Sequence, residues 1–227
     1  HNEENRLPET LTEVVQFIEK QTYQAEVLVV ENASRDNTLK IAQDYAARHA
    51  FIQAIHEDLP GKGRAVHTGM LAAKGQYRFF ADADLSMPIA EVNRFLPPAV
   101  DAPIAIASRE APGAIRYNEP AYRHITGRVF NSLIRILVLP KLQDTQCGFK
   151  MFRADVAEEL FKRQTLMGWS FDVELLYIAR LRGLPILEIP IPWYFNPESK
   201  VSVLRDSWRM FRDLLLIRRN GQLGKYA

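Results

Sequence analysis

Apolar positions in the first half of the chain alternate between two periods. Leu11, Val14, Val15 and Ile18 recur at i, i+3, i+4 and i+7 behind Pro8. That is one face of a helix, with a proline suited to its first turn. Residues 27–30 (Val-Leu-Val-Val) form a short, wholly apolar run, as expected of a strand covered on both faces. A polar stretch over 32–38 leads to a second helix with Ile41, Ala42 and Tyr45 inward. A strand over 51–55, a helix over 64–73, a strand over 77–81, a short helix over 89–96 and a strand over 104–107 follow. This alternation predicts an α/β fold: a mostly parallel, right-handed sheet flanked by helices, with ligands at the carboxyl ends of its strands.

The second half is more mixed. The pattern predicts a long amphipathic helix over 122–139, with Phe130, Leu133, Ile134 and Leu137 on one side. A strand over 149–152, helices near 154–162 and 171–182, and a strand over 186–191 come next. A basic amphipathic helix over about 201–218 carries Leu204, Trp208, Phe211 and Leu215 on one face. Such a helix can lie in a membrane interface or pack its apolar face on the domain. No linker or repeat interrupts the chain, so residues 1–227 read as one domain.

Composition narrows this picture in three ways. A formal charge of +2 is too small for a nucleic-acid binder, so any basic surface is local. The single cysteine, Cys147, excludes an intrachain disulfide framework and fits a reducing compartment. No apolar run reaches the roughly 18 residues that span a bilayer. The chain opens at His1 without a methionine, which leaves a targeting or anchoring segment upstream open.

Three stretches carry candidate chemistry. Asp82-Ala83-Asp84 follows the apolar strand over 77–81, with Pro88 closing the turn. Carboxylates two apart point to opposite faces of a regular strand, so they act together only just past its end. There they could hold a hard divalent cation through oxygen, and the cation could neutralise a diphosphate. Position raises this otherwise weak motif. Pro60-Gly61-Lys62-Gly63 is a glycine-flanked basic loop opening a helix; its backbone N–H groups and Lys62 suit a phosphate, although a plain tight turn explains the glycines equally well. The loop from Glu31 and Asn32 to Ser34 and Asp36 follows the strand over 27–30 and could read a base or ribose, or cap a helix.

Taken in order, these motifs resemble family-2 glycosyltransferases over essentially the whole chain. Asn2-Glu3 resembles the end of the family's Pro-x-x-Asn-Glu opening, and residues 31–38 resemble its Asp-Asp-Gly-Ser-x-Asp-x-Thr segment. Gly61-Lys62-Gly63, Asp82-Ala83-Asp84 and Ser108-Arg109 follow in the family's order. Residues 144–150 (Asp-Thr-Gln-Cys-Gly-Phe-Lys) and 169–176 (Trp-Ser-Phe-Asp-Val-Glu-Leu-Leu) resemble the branch that glucosylates dolichyl phosphate. Two departures stand out. The family's first strand, before the Asn-Glu pair, is absent, and Glu31-Asn32 replaces the usual acidic pair.

The resemblance implies a GT-A fold short of one strand and an inverting, metal-dependent transfer of glucose from UDP-glucose to a dolichyl or polyprenyl phosphate. It places Asn2, Glu3, Glu31, Asn32, Ser34, Lys62, Asp82, Ala83 and Asp84 at the donor, with Mg²⁺ or Mn²⁺ on Asp82 and Asp84. Arg109 and Lys200, and more loosely Arg123 and Arg128, fall where the family binds the acceptor phosphate. A phosphate acceptor is already an anion near neutral pH, so a strong base is less necessary; Asp144 and then Asp172 are the candidates, Asp172 and Glu174 being equally suited to orienting loops. The expected setting is the cytoplasmic face of a membrane, with the enzyme peripheral to it. Other readings stay open: another donor or a saccharide acceptor, a sugar-nucleotide-binding module without turnover, or a nucleotidyltransferase.

Overall fold

The computed structural model describes residues 1–196 and 203–227, with side-chain surroundings for all of these but Arg123 and residues 203–207. The first unit is a parallel pair, β1 (Val27–Asn32) and β2 (Ile52–Glu57), joined by helix α2 (Thr38–Arg48). Helix α1 (Leu7–Ile18) packs on α2 through Leu7, Leu11 and Ala42. The second unit is a four-stranded sheet in the order β3 (Tyr77–Ala81), β6 (Phe149–Arg153), β4 (Ile104–Ser108), β7 (Ile186–Pro190). Helix α3 (Lys62–Ala72) packs against both β1 and β3 and so bridges the two units.

β1 and β3 are not hydrogen-bonded to each other. A cleft of about 2180 Å³ opens between them, lined by residues 27–30 on one side and 76–82 on the other. That is why Val27, Leu28, Val29 and Val30, although wholly apolar, are only half-buried. The split agrees with the expectation of a sheet short of one strand.

The second sheet departs from a uniformly parallel arrangement: β6 runs antiparallel between β3 and β4, while β4 and β7 are parallel. Strand direction is set by the connections at either end, and period-two patterning carries no sign of it. β6 alternates its side chains across the sheet. Phe149 joins Phe79 and Phe95 in an edge-to-face cluster on one side, with ring centroids 4.1 and 5.3 Å away. Phe152 meets Phe80 and Phe161 on the other. Each such ring contributes about 1.5–3 kcal/mol by burial alone.

Helix α6 (Phe171–Leu181) is buried all round from Phe171 to Ala179, as expected of a helix at the centre of a core. Helix α5 (Ala154–Lys162) covers the same side of the sheet through Val156, Leu160 and Phe161. A 3₁₀ segment, Ile89–Phe95, follows the turn after β3. The three-residue strands β5 (Ile115–Tyr117) and β8 (Pro192–Tyr194) pair in parallel and were too short to read from the sequence. Helices α4 (Ala121–Leu137) and α7 (Val203–Gln222) pack against each other. α7 turns Met210, Leu214 and Ile217 inward, not the Trp208–Phe211–Leu215 face. Trp208 is 66% exposed and Leu215 47%.

Candidate active site

The turn after β3 is held from three directions. The Asp82 N–H donates to the Gly148 carbonyl at 3.0 Å, and Thr10 Oγ1 on α1 donates to the Ala83 carbonyl at 2.6 Å. Asp84 Oδ1 accepts the Ser86 N–H at 3.1 Å, a local turn that Leu85, with φ at 40°, completes. Asp82 therefore sits just past the strand, as the chemistry required. Gly148 makes room for it: a Cβ there would lie 2.0 Å from Asp82 Oδ2.

Lys62 Nζ stands 2.7 Å from Asp82 Oδ1 and 2.8 Å from Oδ2. Burial opposes its charge, but Asp82, with Asp172 and Asp84 behind, outweighs this and raises its pKa. Lys62 already sits against Asp82, and Gly148 leaves room for that carboxylate. Among the described residues no cluster of three His, Cys, Asp or Glu side chains forms a complete cation site. A hard divalent cation held by two carboxylates alone would take its remaining oxygen ligands from a diphosphate and water.

The loop bearing Lys62 is docked by backbone contact. The Gly63 and Arg64 N–H groups donate to the carbonyls of Gly168 and Met167, both at 3.2 Å. A Cβ on Gly61 would lie 2.4 Å from the Met167 carbonyl oxygen, and Gly61 has φ at +147°. The 165–168 loop is in turn organised by Glu174, which is completely buried. Glu174 accepts the Thr165 and Leu166 N–H groups at 2.9 and 2.8 Å, and the Tyr226 hydroxyl at 2.8 Å.

Glu31 and Asn32 are buried and engaged within the protein. Glu31 accepts the Ser34 N–H and pairs with His56 Nδ1, both at 2.5 Å. Asn32 accepts the Gly61 N–H at 2.8 Å and donates to the Leu59 carbonyl. Asn2 and Glu3 join the same rim, their N–H groups donating to Ser34 Oγ and Thr38 Oγ1 at 2.9 and 2.8 Å. These residues shape the loops around the cleft.

Arg109 follows β4 and lines the same cleft. Its Nε donates to Asp144 Oδ2 at 2.6 Å and its Nη2 to Oδ1 at 2.9 Å, while its N–H adds a third bond at 3.0 Å. Asp144 is completely buried. Burial pushes its pKa up, but the charge and hydrogen bonds of Arg109 overcome this and hold it at about 2. Cys147, buried beside them, is pushed up to about 12 by burial.

Asp172 opens the first turn of α6 and also lines the cleft. It lies 3.5 Å from Lys150 Nζ, yet burial outweighs Lys150 and Lys62 and raises its pKa. Lys150 is itself completely buried and donates to the Cys147 carbonyl at 2.5 Å.

Two residues of this wall carried no signal in the sequence. Arg116, on β5, donates to the Arg109 carbonyl at 3.2 Å and pairs with Glu110 and Glu119. Trp193, on β8, lies under both arginines, 5.4 and 5.7 Å from ring centroid to guanidinium. Neither residue falls in a motif, and the short strands that join them escaped the period analysis. Arg128, expected beside Arg109, does not reach the cleft: it is exposed on α4, whose Gly127, Phe130 and Asn131 line the cavity instead. Lys200 lies outside the described residues, as does the side chain of Arg123.

The cleft carries an aspartate pair on one wall and an arginine on the other, and solved structures share its architecture. Mannosyl-3-phosphoglycerate synthase from Rubrobacter xylanophilus superposes with a TM-score of 0.68 at 17% identity, covering 99% of this chain and 72% of that one. Glucosyl-3-phosphoglycerate synthase from Mycobacterium tuberculosis, solved with Mn²⁺, UDP-glucose and phosphoglyceric acid, gives 0.62 at 16%, covering 96% and 75%. The fold is therefore that of the GT-A glycosyltransferases. Residues 1–161 match the family described as Glycosyl transferase family 2, and the chain belongs to that family. It is 34% identical over 233 residues to a dolichyl-phosphate beta-glucosyltransferase of Drosophila melanogaster, covering 96% of this chain and 72% of the relative. A human protein of the same name is 32% identical, with 96% and 72% covered. The corresponding Saccharomyces cerevisiae protein is 32% identical, with 100% and 74% covered. The chain spans 64–74% of the length of these and related proteins.

Proposed function

We propose that this protein transfers glucose from UDP-glucose to dolichyl phosphate or a related polyprenyl phosphate, with inversion at the sugar. The observation that carries the reading is that the Asp82–Ala83–Asp84 turn and Arg109 line one cleft, in a chain 32–34% identical to proteins of that activity. Lys62, Asp82 and Asp84 face the donor diphosphate, with Asn2, Glu3, Glu31, Asn32 and Ser34 fixing the rim around its base. Asp82 and Asp84 would hold Mg²⁺ or Mn²⁺, which would lend Lewis-acid stabilisation to the UDP leaving group.

Arg109 presents its guanidinium to the acceptor phosphate. Asp144 aligns that fork and offsets its charge, which makes it a positioning residue and leaves no free lone pair suited to taking a proton. The acceptor phosphate is mostly dianionic at pH 7, so one of its oxygens attacks the anomeric carbon as the bond to UDP breaks, and no proton need be removed first. Asp172 lines the cleft beside Lys150 and faces the donor sugar. Trp193 and Arg116 support the Arg109 wall.

Among the described residues no helix is long and apolar enough to cross a membrane. The outward Trp208 and Leu215 of α7, with Arg209 at the cleft, support a peripheral enzyme meeting its lipid acceptor at a membrane's cytoplasmic face. The test is transfer of labelled sugar from UDP-glucose or GDP-mannose to dolichyl phosphate, with Mg²⁺ or Mn²⁺, read by organic extraction. Metal-dependent label from UDP-glucose alone is expected. Label from GDP-mannose alone overturns the sugar assignment, and none from either overturns the lipid-phosphate acceptor or the donor class.

A further inference from the structure

Lys62 takes both oxygens of Asp82, with Nζ 2.7 Å from Oδ1 and 2.8 Å from Oδ2. An ammonium centred on a carboxylate occupies the edge through which that carboxylate would hold a divalent cation. Asp82 has little room to turn away from its lysine, because Gly148 crowds the same two oxygens. A Cβ on Gly148 would lie 2.0 Å from Oδ2 and 2.7 Å from Oδ1. Asp84 is placed differently. Its Oδ1 accepts the Ser86 N–H, and among the described residues it has no ion-pair partner.

The attachment of Lys62 decides what can move. Its backbone is pinned, since the Gly63 and Arg64 N–H groups donate to the Gly168 and Met167 carbonyls. Its side chain is a flexible four-carbon stem carrying a compact charge. Nζ already lies 5.5 Å from the ring centroid of Trp169, within reach of a cation–π contact. Trp169 lines the same cleft. The ammonium thus has a second favourable place a short swing away, and diphosphate oxygens entering the cleft offer it a stronger one.

We propose that Lys62 is the internal counter-ion of the metal site, closing Asp82 to a divalent cation until a donor diphosphate draws the ammonium away. Without nucleotide the cation meets Asp84 alone, and Asp82 joins only once the diphosphate has taken Lys62. Metal and nucleotide are thereby coupled, each raising the other's affinity by the same factor. The proposal rests on the reading of Asp82 and Asp84 as the metal's carboxylates.

The test reads metal binding without turnover. Free Mn²⁺ is followed by its electron paramagnetic resonance signal as full-length wild type and variants are added, with and without UDP. For the wild type, UDP tightens Mn²⁺ binding by about a hundredfold. Lys62→Met keeps the stem and removes the charge; it binds Mn²⁺ alone about tenfold more tightly than wild type. It binds UDP more weakly, and the tightening by UDP shrinks by about the same factor. Lys62→Gln, whose amide can still hydrogen-bond Asp82, shows the same gain and guards against a folding defect in Lys62→Met. Lys62→Arg stays close to wild type. Adding Asp82→Asn to Lys62→Met returns Mn²⁺ affinity to the wild-type level, because the released carboxylate is gone.

Unchanged or weaker nucleotide-free Mn²⁺ binding in the charge-removing variants, at wild-type circular dichroism, overturns the proposal and leaves Lys62 a structural partner of Asp82. So does a gain that survives Asp82→Asn. Failure of the metal reading looks different and takes the proposal with it: with UDP present, no form of the protein retains Mn²⁺ beyond that bound by UDP in solution.

Discussion

Arg109 and Asp144, 35 residues apart, are locked by three hydrogen bonds between 2.6 and 3.0 Å, and the carboxylate is completely buried. A two-point fork of this kind fixes the plane of the guanidinium as well as its charge. Asp144→Asn keeps the shape and removes the charge partner. The protein should lose about 3 kcal/mol of stability, the low end for a broken buried pair because Arg109 is partly exposed. KM for the acceptor phosphate should rise while KM for UDP-glucose holds. Equal rises in both would deny Arg109 a particular role at the acceptor.

The same pair makes stability depend on acid. Asp144 has its pKa lowered from the ordinary 3.8 to about 2, so the folded state binds its proton less tightly than the unfolded chain. Its contribution is complete above about pH 4 and is lost as pH falls through about 2, a total of about 2 kcal/mol. Melting temperatures measured across that range should converge for wild type and Asp144→Asn. Asp172, raised by burial, has the opposite sign: its protonated form favours folding, and that contribution disappears as pH rises through its raised pKa.

Gly148→Ala is the sharpest probe of the aspartate turn. Its Cβ would lie 2.0 Å from Asp82 Oδ2, so the carboxylate must move from its place beside Lys62. Titration calorimetry with Mn²⁺ and UDP should show donor affinity falling by about tenfold or more, equivalent to about 1.4 kcal/mol. Unaltered affinity would remove Asp82 from the donor site.

Glu174 and Tyr226 should act on the donor from a distance. Glu174 holds the 165–168 loop, and that loop holds Gly61 and Gly63 on either side of Lys62. Tyr226→Phe removes one buried hydrogen bond and should cost about 1 kcal/mol of stability with little effect on turnover. Glu174→Gln disturbs the acceptors of two backbone N–H groups and should cost about 2 kcal/mol, raising KM for UDP-glucose with that for the acceptor unchanged. A rise in acceptor KM instead would break the chain of contacts drawn here.

Much of this was legible in local pattern. The strand–helix alternation placed β1 to β4, and the position of Asp82-Ala83-Asp84 behind an apolar run marked the turn before its supports were known. Pattern stopped where long-range pairing began. The antiparallel entry of β6 is fixed by its connections, and β5 and β8 are each only three residues long and pair across long sequence separation. Asp144 read as a candidate base because its partner is remote in sequence. Glu31 and Asn32 read as ligand contacts, whereas His56, Leu59 and Gly61, from the neighbouring strand and loop, engage their side chains. On α4 the inward apolar face was found and the outward one passed over, because Tyr122, Ile125, Val129 and Ile136 are interleaved with polar residues and exposure alone separates the two faces.

The central claim is that one cleft joins a donor held at Asp84 to an acceptor held at Arg109. The most direct test is single-turnover transfer of labelled glucose from UDP-glucose to dolichyl phosphate, comparing wild type with Asp84→Ala and Arg109→Ala at matched folding. The account predicts metal-dependent label in the organic phase for the wild type. It predicts a loss of about a hundredfold or more in the transfer rate for Asp84→Ala, and a raised requirement for acceptor in Arg109→Ala. Full transfer by Asp84→Ala, or no transfer by the wild type, would contradict it.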